Sequence, residues 1–174
     1  MSVAEMCGVA DHDAALMSAT RAAWPQWRQE DPGLPAVADL LALRAWTCSA
    51  SPHERGNLFA ALASRARQDQ VATTALVWLL IPGAQRRAAL LADLSPHIDV
   101  LVAGQLWIEA AEAWRWPGPL SAGSILGRVR SAVCVELGVG AAAKRRDRAR
   151  AARSPRTRLT RWPPRFRRWT RRGR

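Results

Sequence analysis

SPHERGNLFAALASRARQDQVATTALVWLLIPG, residues 51–83, decides the fold class. Ser51 stands where a helix N-cap stands and Pro52 fits the first helical position, where no N–H is needed. Glu54 sits where a capping-box carboxylate reaches back to the cap. From there Leu58, Phe59, Leu62, Ala63 and Ala66 recur at the spacing of one helix face, with Arg55, Arg65 and Arg67 on the wet side. Asp69 caps the next helix. Val71, Ala75, Leu76, Trp78, Leu79 and Leu80 make that helix apolar on nearly every side, the pattern of a helix at the centre of a bundle. Pro82-Gly83 breaks or kinks it, and Ala84 to Asp93 resumes.

The same signals repeat outward. Ser95-Pro96 starts a helix that runs to about Trp114, with Ile98, Leu101, Val102, Gln105 and Ile108 on one stripe and Leu106, Trp107 and Ala110 beside it. Trp116-Pro117-Gly118-Pro119 ends it. Ser121 then caps a last helix whose stripe is Ile125, Leu126, Val129, Ala132, Val133 and Leu137, with Gly138 as its C-terminal stop. Upstream, Ala36 to Thr47 is a helix candidate with Val37, Leu40, Leu41 and Trp46 as its apolar side. Asp31 to Pro35 is a loop. Asp13 to Ala23 forms a short helix that ends at Trp24-Pro25, because a residue before proline avoids the helical region. No stretch alternates in the manner of a strand, and no internal repeat is present. The expectation is an all-α, irregular bundle of about five or six helices. It divides into a weakly ordered segment (1–35), a helical domain (36–143) and a separate basic tail (144–174).

Length and composition agree with one domain plus an appendage: 174 residues, 49% apolar, no tyrosine, two phenylalanines and nine tryptophans. The net charge of +12 is segregated. Residues 144–174 hold 15 of the 26 Lys/Arg and one of the 14 acids, which leaves 11 bases and 13 acids in residues 1–143. Lys144, Arg145, Arg146, Arg148, Arg150 and Arg153 come first, and their mutual repulsion opposes an unsupported helix. Arg161, Trp162, Arg165, Phe166, Arg167, Arg168 and Trp169 follow around Pro163-Pro164. So few apolar groups cannot offset ordering entropy, so the tail is expected to be disordered when free. Guanidinium groups pair with phosphates and release counterions, and the three aromatics can stack on unpaired bases. None of this selects a sequence. Two other readings of the tail stand beside that one: binding to an anionic membrane surface, ranked second for want of a clean amphipathic face, and an extension without a selected role. Arg, Pro, Trp and Gly are also what GC-rich codons give in a shifted frame.

Motifs for chemistry are sparse. Cys7, Cys48 and Cys134 are far apart, odd in number and without a CxxC pair, so they read as small buried hydrophobes in a reducing cytoplasm. His12, His53 and His97 are not spaced as a metal set. Gly118 to Gly123 is one residue off a nucleophile elbow and follows no strand. Gly138 to Ala143 matches a relaxed dinucleotide fingerprint but lacks its flanking strands. Glu109 and Glu112 read as a solvated face. No enzyme, cofactor or metal is expected. The N-terminus lacks a secretory pattern, and the longest apolar run, Ala75 to Ile81, is far too short to span a bilayer, so a cytoplasmic protein is expected.

The stretch from about Glu54 to Gly138 resembles the second conserved region of bacterial RNA polymerase sigma factors, closest to the short sigma-like proteins of high-GC bacteria. Asn57 to Asp69 (NLFAALASRARQD) and Val71 to Arg86 (VATTALVWLLIPGAQR) are similar to the opening helix pair of that family. Asp99 to Trp114 (DVLVAGQLWIEAAEAW) resembles its acidic-start, glutamine-centred, tryptophan-ended helix, which docks on the polymerase clamp. Ser124 to Gly138 (SILGRVRSAVCVELG) occupies the place of the helix that recognises and melts promoter DNA. The resemblance implies polymerase contact through Asp99, Gln105 and Glu109 and DNA contact through Arg128 and Arg130. It also departs from the family. Ser124-Ile125-Leu126 offers no aromatic for a flipped base, and no second promoter-reading domain follows. The expectation is therefore a relative that keeps the fold and some DNA or polymerase contact. The alternative is a helical protein-interaction module with an incidental tail.

Overall fold

The computed structural model describes residues 1–140, and within them all regular structure is helical. The α-helices are α1 (Val3–Met6), α2 (Ala15–Glu30), α3 (Leu43–Ser49), α4 (Pro52–Ala66), α5 (Gln70–Leu90), α6 (Ile98–Glu112) and α7 (Ala122–Glu136). Single 3₁₀ turns lie at Leu40–Ala42, Ala92–Leu94 and Ala113–Arg115. No helix of the described residues is long and apolar enough to cross a membrane. The expected disorder of the tail lies outside the described residues.

α5 occupies the centre. Every residue from Ala72 to Trp78 is buried, and the helix packs against α1, α2, α4, α6 and α7; its last turns, with Gln85 and Arg86, reach solvent. The caps fall where the sequence places them. Glu54 N–H donates to Ser51 Oγ, and Ser51 N–H donates to the Glu54 carboxylate at 2.7 Å. Asp69 accepts from Val71 N–H, and Ser121 from Ser124 N–H. Gly138, at φ +69°, closes α7 in a Schellman turn, with Val139 N–H donating to the Cys134 carbonyl at 2.8 Å.

Pro25, expected to end its helix, lies inside α2, and Pro82, expected to break or kink its helix, lies inside an unbroken α5. At Pro82 the structure shows how. Proline has no N–H to give to the carbonyl four residues earlier, which belongs to Trp78. Arg44 Nη2, on α3, donates to that carbonyl at 2.6 Å, and its guanidinium lies over the Trp78 ring at 4.1 Å. A side chain thus supplies the missing backbone donor. Burial pushes the Arg44 pKa down from its ordinary value.

The first 35 residues also depart from expectation. Val3, Cys7, Val9, Met17, Trp24 and Trp27 are all buried, and α1 packs on both α5 and α6. Polar ties fix the segment. Trp24 Nε1 donates to the Val37 carbonyl at 3.0 Å, Arg21 pairs with Asp39 at 2.9 Å, and Arg65 of α4 pairs with Glu30 at 2.6 Å. Met17, Thr20, Trp24 and Trp27 share one face of α2, but Pro25, read as a helix stop, splits that face and hides it from a periodicity reading.

Smaller differences have local causes. The expected helix 36–47 begins only at Leu40, as a 3₁₀ turn, because Asp39 is extended and caps it through Leu41 N–H. α6 begins at Ile98, and Ser95 makes only a short turn to His97 N–H. Ala103, Leu106 and Ala110 share its buried side with Ile98 and Val102, while Ile108, placed on the buried stripe by periodicity, is 51% exposed.

Candidate functional site

The structure brings the residues predicted for two different partners into contact with each other. Arg128 on α7 donates through Nε to Glu109 on α6 at 3.0 Å, and its guanidinium stacks over Trp116 at 4.1 Å. The Glu109 side chain is only 14% exposed in this pair. Gln105 Nε2 lies 3.4 Å from the Glu136 carboxylate. Asp99 stays half-buried in the first turn of α6, and Arg130 is exposed, with no ion pair to another described residue. Gln105, Glu109 and Arg128 therefore tie α6 to α7, with the Arg128 side chain still half exposed. The predicted tail residues, Lys144 to Trp169, lie outside the described residues.

All 11 basic residues of positions 1–140 are arginines, and most have internal partners. Arg28 donates to the Val37 carbonyl. Arg55, read as wet, donates to the carbonyls of Thr47 and Ala50 and so closes the end of α3. Arg65, also read as wet, reaches the Trp27 carbonyl as well as Glu30. With Arg21 on Asp39, Arg44 on the Trp78 carbonyl and Arg115 on Glu112 at 3.2 Å, most of these guanidinium groups have an acceptor within the body, while Arg67, Arg86 and Arg130 are exposed without an ion pair to a described residue. The carboxylates respond. The Arg21 hydrogen bond holds Asp39 below its usual range, and the Arg65 hydrogen bond does the same for Glu30.

One concavity stands out among the described residues: a cleft of about 640 Å³ between α4 and the connection from Ala113 to Ser121. Gly56, Ala60 and Ala63 form its α4 side. A Cβ on Gly56 would stand 3.4 Å from the Leu120 carbonyl oxygen, an ordinary contact distance, so the connection packs directly on α4 there. Trp114, Trp116 and Pro119 form the opposite side. The polar lining is His53, Asn57, Ser64, Arg67 and Ser121; Asn57 Nδ2 and His53 Nε2 are within hydrogen-bonding reach at 3.3 Å. Trp114 carries two guanidinium groups, Arg67 at 5.1 Å and Arg115 at 4.9 Å. The sequence reading took the Trp116-Pro117-Gly118-Pro119 run as a helix stop only. Trp114 and Trp116 are the signal there, but Arg67 and Arg128, which stack on them, come from distant positions in the sequence.

A shallower groove of about 530 Å³ adjoins this cleft through Arg67 and is walled by Trp107, Ile108 and Ala111 of α6. Exposed Val100 and Ile108 continue its apolar character along α6. Among the described residues no group of three or more His, Cys, Asp and Glu side chains could hold a metal. Cys7 is buried and burial pushes its thiol up to about 11, but Cys48 is exposed, which corrects its reading as a buried residue. No protein-family model, curated protein or solved structure matches the chain, so the sigma-factor resemblance rests on sequence pattern.

Proposed function

We propose that the chain is a non-enzymatic, sigma-like nucleic-acid-binding protein whose arginine-rich arm, residues 144–174, supplies the phosphate contacts. The observation that supports this is the division of charge. The helical body carries more acids than bases, and most of its guanidinium groups are tied to its own carbonyls and carboxylates. The arm carries 15 bases against one acid, Asp147. Phosphate affinity then belongs to the arm. Arg130 is the cation of α7 left to orient a bound strand, since Arg128 is engaged by Glu109. The test is binding of duplex DNA to the full chain and to residues 1–143. Loss of most of the affinity with the arm supports the reading; equal binding by the shortened protein refutes it.

A second reading has its own observation. Val100 and Ile108 lie eight residues apart on α6, 49% and 51% exposed, with Gly104 between them. That spacing makes one outward apolar stripe, which suits a protein-interaction module, with RNA polymerase as one partner to examine. Capture of polymerase by residues 1–143, abolished by Ile108→Glu and without any DNA binding, would favour the module.

A further inference from the structure

Arg67 is the one cation on the wall of the α4 cleft, and no carboxylate is among the lining residues. No ion pair joins Arg67 to another described residue. Its guanidinium is held by the Trp114 ring, and stacking on an indole occupies the flat face while leaving the N–H edge free to meet an oxyanion. The N-terminal turns of α4 and α7 also open on the cleft through His53 and Ser121; the first turn of α7 holds no acid to offset its dipole, while that of α4 holds Glu54 in its capping box. The site therefore favours negative charge.

The remaining space requires more than an inorganic anion. About 640 Å³ is within the range of small-molecule sites, roughly 300–1,000 Å³, and most of the lining is apolar. Helical rise places Ala60 about 10 Å and Asn57 about 15 Å along α4 from Arg67, and the arginine side chain leans back toward them. That is the span from a phosphate to the far edge of a purine. Gly56, Ala60 and Ala63 on one side and Pro119 on the other offer small apolar walls to a flat ring, and Asn57, whose Nδ2 lies 3.3 Å from His53 Nε2, is the amide at that end of the cleft.

We propose that this cleft is a nucleotide site: Arg67 takes the phosphate of a nucleoside monophosphate, and the base lies along Ala60 toward Asn57. The site uses none of the arm's residues and stands whether or not the arm binds nucleic acid. A free mononucleotide and the 5′-phosphorylated end of a strand present the same chemistry.

The experiment is calorimetric titration of the full chain with adenosine monophosphate, in enough salt to screen the arm. One saturable site is expected, with adenosine alone and inorganic phosphate each binding at least about tenfold more weakly. Arg67→Gln lowers the affinity by about tenfold or more. Ala60→Phe, at an exposed position, fills the slot and removes binding while the helical circular dichroism stays unchanged. Joint replacement of Arg165, Arg167 and Arg168 by Gln leaves the affinity as it was. The proposal is overturned if the nucleotide shows no saturable site, if phosphate alone binds as well, or if the arm replacement and not Arg67→Gln removes binding. Competition assigns the source. Displacement by a 5′-phosphorylated but not a 5′-hydroxyl trinucleotide points to strand ends, and displacement by neither points to the free nucleotide.

Discussion

Eleven arginines in residues 1–140 and fourteen in residues 144–174 carry one chemical group into two settings. In the body the guanidinium is a structural donor. It ends helices, as Arg55 does for α3, replaces a lost backbone N–H, as Arg44 does below Pro82, or stacks on indole, as Arg67 and Arg128 do. In the arm one acid and few apolar groups accompany fifteen cations, so carboxylate partners of like number are absent from that stretch of sequence. Net charge by itself says little about phosphate binding; what matters is whether each donor already has an acceptor.

The largest test of this contrast is the salt dependence of DNA binding. For the full chain the logarithm of the binding constant should fall steeply with the logarithm of salt, with a slope on the order of −5 to −10, while residues 1–143 show almost none. A similar slope for both would erase the distinction. Next comes Arg44→Met, which strands the Trp78 carbonyl and should cost about 2 kcal/mol in denaturant unfolding. In a Pro82→Ala background, residue 82 regains an N–H for that carbonyl, and the cost should shrink by about 1 kcal/mol. Equal cost in both backgrounds would show that Arg44 acts by packing alone.

Acid titration probes the ties of the N-terminal segment. Asp39 and Glu30 are held below the ordinary carboxylate range, so their contribution is complete above the unfolded value, near about 4, and is lost as pH falls through the lower folded values. Melting temperature should therefore drop on acidification, and Asp39→Asn with Glu30→Gln should flatten that drop. The effect is small because both side chains are more than 40% exposed. Smallest of all, Glu109→Gln releases Arg128 and should raise the DNA affinity of residues 1–143 by less than about threefold, seen at low salt.

Local signals predicted local structure well. Ser51, Asp69, Ser121 and Gly138 cap where residue chemistry within four positions says they should. The all-round apolar character of α5 correctly placed it at the centre. Features that depend on distant residues were not readable. Pro82 looks like a break or kink until Arg44 of α3, which donates to the Trp78 carbonyl from 34 residues earlier, is known to face that turn. The candidate site behaves the same way. Arg128 looked like a free cation because Glu109 lies 19 positions earlier, and Trp114 and Trp116 looked like the end of a helix because Arg67 comes from another. Periodicity reports which side of a helix is apolar, not which neighbour it meets.

The seating of α1 bears on how the polypeptide is made. Val3 and Cys7 are buried where α1 packs on α5 and α6, elements that leave the ribosome some seventy to one hundred residues later. α1 therefore has no place to dock until α5 and α6 are made, and folding must close one of the longest loops in the domain. A bulky fusion directly ahead of Ser2, whose own N–H is tied to Glu5, would be felt at that final closure rather than at the surface.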